Sequence, residues 1–87
     1  MAEEEREVAW LAMPEKAPVM DEAGEEIGRA EELLGDKAED IFHGIVVKLA
    51  RSGHKVEVRA DRIPKITTHR VYTDLAADEL EQLPEYR

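Results

Sequence analysis

The run Ile41–Leu49 constrains this chain more than any other stretch. Ile41, His43, Ile45, Val47 and Leu49 alternate there with Phe42, Gly44, Val46 and Lys48. β-Branched residues dominate it and both faces are largely apolar, so as a strand it must be covered on two sides. It predicts an inner strand of a barrel or packed sheet. Residues 51–54, Arg-Ser-Gly-His, then turn the chain into Lys55, Val56, Glu57, Val58, Arg59 and Ala60, where valines face one way and charges the other. The two runs predict a β-hairpin.

Around this hairpin the signals are shorter. Residues 8–13 and 19–20 are apolar stretches separated by Pro14 and Pro18, which suits short edge strands. Residues 21–26, Asp-Glu-Ala-Gly-Glu-Glu, have turn chemistry, with Gly24 able to adopt positive φ. Ile27, Ala30, Leu33 and Leu34, followed by Gly35, fit a short amphipathic helix. That local pattern favours helix, while Gly28 in its middle allows instead a strand in which a bulge there turns Ile27, Ala30 and Leu34 inward. Both readings stay open. Pro64 marks a turn that returns Ile63 and Ile66 to the core, and Val71, Thr73 and Leu75 alternate in a last strand. Ala76, Leu80 and Leu83 share a helical face, with acidic residues in the first turn and Pro84 as the stop.

At 87 residues the chain supports one domain. A domain of that size buries only about 60–65% of its unfolded surface, which makes self-association an expectation. The absence of cysteine removes disulfides, thiolate nucleophiles and cysteine-ligated metals. Residues 1–7 carry four glutamates and no apolar run, predicting a disordered acidic tail ahead of a domain at 8–87 and, without the pattern of a secretory signal, a cytoplasmic setting. No apolar run approaches the roughly 18–20 residues that cross a bilayer, so no membrane insertion is expected. The net charge of −9 is divided unevenly: −10 over residues 1–40, +4 over 41–75 and −3 over 76–87.

The order of features resembles a PRC-barrel domain. The carriers are the D-x-x-G-x-x-I-G run of Asp21, Gly24, Ile27 and Gly28, the two-sided strand, the hairpin, Ala60-Asp61-Arg62-Ile63, and Val71-Tyr72-Thr73-Asp74-Leu75. They cover about residues 17–86. The resemblance implies a mostly β fold, a small SH3-like antiparallel barrel with a short C-terminal helix, and a strand over residues 27–34. Gly24 and Gly28 become its structural turn. Members of this group often cap the closing helix with serine or threonine, where this chain has Ala76. The family's common thread is protein–protein contact, and it implies no shared catalytic residue.

Candidate chemistry is sparse. His43, His54 and His69 are the only nitrogen ligands, and two fall in predicted loops, so no metal site is expected. The acidic 21–26 turn lacks the ligand spacing of a calcium loop. Ser52 sits in a turn, and no glycine-rich phosphate loop is present, so no catalytic residue and no cofactor is assigned and the protein is expected not to be an enzyme. The cations of segment 48–70 are the most informative polar feature. Lys55, Arg59 and Arg62, with the aromatics Trp10 and Tyr72, form the candidate interaction surface. The function expected is a protein-interaction or scaffolding module, including homo-oligomers, that works through a barrel edge and the basic face of the Lys55–Arg59 strand. The alternative is an RNA- or ribosome-associated domain using the basic segment, which the shortage of stacking aromatics disfavours.

Overall fold

The alternating runs in the middle of the chain form its longest strands. The computed structural model describes residues 4–86. It contains β1 (Pro18–Met20), β2 (Glu26–Asp36), β3 (Ile41–Leu49), β4 (Lys55–Arg59), β5 (Lys65–Ile66), β6 (Val71–Tyr72) and one short helix, α1 (Ala77–Glu81). The ambiguous 27–34 segment is strand throughout, so tertiary pairing overrides its helical spacing.

All six strands join one sheet in the order β4-β3-β2-β1-β6-β5. Neighbours are antiparallel except β1 and β6, which run parallel through Val19↔Val71 and Met20↔Tyr72. The expected antiparallel barrel is thus corrected twice. The sheet is mixed, and among the described residues no pairing joins β4 to β5 to close it. The physical reason lies in β5 and β6, two residues each, which are too short for the tilted, staggered pairing that barrel closure requires.

The chain's own ends lie along both outer strands. Glu7 bridges Thr67, and Val8 N–H donates to the Ile66 carbonyl at 2.9 Å. Of the tail expected at residues 1–7, residues 1–3 lie outside the described residues, while residues 5–7 are attached to the sheet. At the other end Glu85 bridges Val56, and Tyr86 N–H donates to the Lys55 carbonyl at 2.6 Å.

Ile45, Val47 and Leu49 of β3 pack with Val56 and Val58 of β4, Val19, Val71, and Leu80 from α1. One irregularity lies beside Gly28, where Ile27 is an extra residue in β2 between Val19↔Gly28 and Met20↔Glu26, and two more change the sense of alternation along β2 and β3. Glu31 is an extra residue in β2 between Ala30↔Val47 and Glu32↔Val46, and His43 is extra in β3 between Leu34↔Gly44 and Gly35↔Phe42. Each bulge shifts the face of the residues beyond it. Hence Leu33, not Leu34, continues the inner row after Ala30, and Phe42 joins the core while Ile41 is 47% exposed.

Gly28 is buried where a side chain would collide with the Lys48 carbonyl of β3, so the close approach of β2 and β3 requires glycine there. Gly24 has φ 83° and completes the turn foreseen for it. Asp21, buried at its start, accepts Ala23 and Glu25 N–H on one carboxylate oxygen, each at 2.9 Å. α1 begins at Ala76, which supplies no side-chain cap, although the Ala76 N–H donates to Glu79 Oε1 at 3.1 Å.

Candidate functional site

The five surface residues foreseen from sequence are not brought together in one place. Lys55 and Arg59 project from β4 on its exposed face. Lys55 Nζ lies 4.0 Å from Glu31, whereas Arg59 joins no ion pair among the described residues. Arg62 is held by Asp74, its Nε donating at 2.7 Å, and this bond with the nearby negative charges raises the guanidinium pKa further. Tyr72, on β6 beside the outermost strand β5, donates its hydroxyl to Glu5 at 3.1 Å. Burial, then the bond to Glu5 and its charge, push the Tyr72 pKa upward. Lys65 Nζ sits 5.3 Å from the centre of its ring.

Trp10 stands apart from all of these. Residues 8–13 are not a strand as the sequence suggested: Trp10–Ala12 form a 3₁₀ turn. Its indole stacks on Phe42 with centroids 5.2 Å apart, and Nε1 donates to Asp40 at 2.9 Å. The ring also lies against Gly35, where a Cβ would approach it to 3.0 Å. Three-centred packing of this kind fixes the strap of residues 10–16 across the far end of the β2–β3 hairpin.

The strap creates the most suggestive feature of the surface. β1 pairs with β2 as far as Pro18↔Arg29, and Ala30 N–H donates to the Ala17 carbonyl at 2.9 Å. Beyond that point the strap swings away through a turn at Glu15 and Lys16, and among the described residues the 31–36 stretch of β2 has a strand neighbour only on the β3 side. The gap is a groove between Leu11, Met13 and Lys16 of the strap and Glu31, Glu32 and Leu33 of β2. Leu11 is 49% exposed above it. Lys16 Nζ closes one end on Glu31 at 3.0 Å, and this bond is the chief cause of the lowered Glu31 pKa.

Sequence reasoning missed Leu11 and Leu33 as surface features, and missed Glu5 as a fastener. Glu5 accepts from the Thr67 hydroxyl at 2.6 Å as well as from Tyr72. Arg70 Nε lies 3.3 Å away without hydrogen-bond alignment, so its attraction is ionic only. The Thr67 bond is the largest cause of the lowered Glu5 pKa.

Among the described residues no group of three histidine, aspartate or glutamate side chains is arranged to hold a metal ion. No helix of the described residues is long and apolar enough to cross a membrane. No model of a known protein family matches this chain, and no curated protein matches it.

Proposed function

We propose that this domain is a non-enzymatic protein-interaction or scaffolding module whose working surface is the groove beside the open half of β2. The observation that carries the reading is the one-sided pairing of residues 31–36 next to exposed Leu11. An extended segment of another protein laid in this groove adds main-chain hydrogen bonds to β2 and packs apolar side chains on Leu11, Met13 and Leu33. This moves the expected contact from an outer edge, where the chain's own ends lie, to an inner one.

The same reading places the domain with the PRC-barrel group, as a member whose sheet stays open. The support is the Asp21–Gly24 turn leading into a long irregular β2, then the β3–β4 hairpin and the closing helix. A cytoplasmic setting goes with it, as does the capacity to self-associate. For RNA, three of the cations in segment 48–70 are already engaged, Lys55 with Glu31, Arg62 with Asp74 and Arg70 with Glu5.

The test is an affinity capture with the full tagged chain from a lysate of its source organism, half of it nuclease-treated, comparing wild type with Leu11→Asp. The expected result is a defined protein retained in both halves and depleted about tenfold by the substitution, as for an apolar contact residue. Retention of ribosomal or RNA-binding proteins that disappears with nuclease would overturn the reading in favour of RNA.

A further inference from the structure

The outward-alternating rows of β2, β3 and β4 carry charges in an order that contacts within one molecule use only in part: Arg29 reaches Glu26 at 3.8 Å and the Lys16 carbonyl at 3.3 Å, and Lys55 reaches Glu31 at 4.0 Å. The pairings set it out in four levels, each about 7 Å from the next along the strands. Arg29, Lys48 and Lys55 form the first level, and Glu32, Val46 and Glu57 the second, with Val46 only 1% exposed between the two charged rows. Leu34, Gly44 and Arg59 form the third, and Asp36 with Ile41 the fourth. Opposite charges thus stand two levels apart or fewer on each outer strand, and reversing the order sets Arg29 against Asp36 and Glu57 against Arg59, while Glu32 falls on Leu34.

From these levels we infer that the β2–β4 face binds the same face of a second copy of this chain. This rests on the interaction reading above and names one partner and one surface for it. Place the two-fold axis across the strands, midway between the Val46 and Gly44 levels. Glu57 of each copy then meets Arg59 of the other, Arg29 meets Asp36, and the Lys48 stem covers Ile41. An isologous contact needs this self-complementarity, because every pair occurs twice.

Charge distribution supports the choice of face. The chain carries −9, yet strands β2–β4 hold Arg29, Lys48, Lys55 and Arg59 against only five acids. Self-repulsion that opposes association elsewhere on the surface is nearly absent here. Glu57 and Arg59 are both exposed and join no ion pair among the described residues, so neither must give up a partner. Ile41, 47% exposed, adds apolar area at the fourth level.

The experiment is sedimentation equilibrium of the full chain, alone and in mixtures, up to roughly 0.5 mM, where even weak dimers are populated. Wild type is expected to dimerise. Glu57→Arg and Arg59→Glu, each alone, set like charges opposite one another twice and should weaken the dimer about tenfold or more. An equimolar mixture of the two variants restores both attractive pairs and should recover association as a heterodimer. A wild type that stays monomeric, or a dimer indifferent to both substitutions, would overturn the inference. Loss of dimerisation in both variants without recovery on mixing would overturn the Glu57–Arg59 pairing and with it the proposed axis. Capture of a different protein at the β2 groove is read separately, so this inference can fail while the interaction reading stands.

Discussion

The β2–β4 hairpin pair and the β5–β6 end of the same sheet are held by different means. β2, β3 and β4 are 11, 9 and 5 residues long, and their ladders carry the core on Ile45, Val47, Leu49, Val56 and Val58. β5 and β6 have two residues each and depend on side-chain hydrogen bonds. Thr67, 1% exposed, accepts His69 and Arg70 N–H at 3.1 and 3.0 Å and donates to Glu5. Thr73 Oγ1 donates to the Met20 carbonyl at 2.9 Å across the parallel β1–β6 pair. Long strands build stability from repeated main-chain bonds and apolar burial, whereas short ones need polar side chains to satisfy the backbone they leave open.

Breaking the first region should cost most. Ile45→Ala removes a fully buried side chain from the centre of the core and should destabilise the fold by about 2–5 kcal/mol in chemical denaturation. Thr67→Val keeps the shape but leaves two half-buried N–H groups without their acceptor, an expected loss of about 1–3 kcal/mol. If Thr67→Val costs as much as Ile45→Ala, the contrast between the regions is wrong. Ala76→Ser supplies the missing acceptor at the start of α1 and should stabilise by about 1 kcal/mol, read as a rise in the denaturation midpoint.

The smallest effect is local and depends on pH. The Glu5 pKa is lowered in the folded chain, so its contribution is present above the ordinary carboxyl range and is lost as pH falls through the lowered value. Acidification should therefore speed amide exchange at Val8 and Thr68, whose N–H groups tie residues 6–8 to the β5 end, before the β3 amides respond. Glu5→Gln should abolish that pH dependence. Simultaneous acceleration at β3 would contradict the two-region account.

The same division explains what was legible from sequence. Period-2 alternation is a property of long strands, so β3, β4 and their hairpin could be read directly, as could the inward row of Val71, Thr73 and Leu75. The bulges at Glu31 and His43 leave no compositional mark, and they exchanged Leu33 for Leu34 and Phe42 for Ile41 on the inner face. A two-residue strand has no period, so neither the parallel β1–β6 pairing nor the open sheet could be foreseen. Lys55 and Arg59 were correctly placed on one exposed strand face. Trp10, Arg62 and Tyr72 were singled out by type, but each is tied to a partner far away in sequence, and such partners become visible only once the chain is folded.

The groove beside β2 is the central functional claim, and NMR mapping on the isotope-labelled full chain tests it most directly, with the captured protein as titrant. Amide signals of residues 31–36, with those of Leu11 and Met13, should shift most, and added salt should change the binding little. A map centred on Arg59 and Arg62, with binding that collapses as salt rises, would contradict the claim.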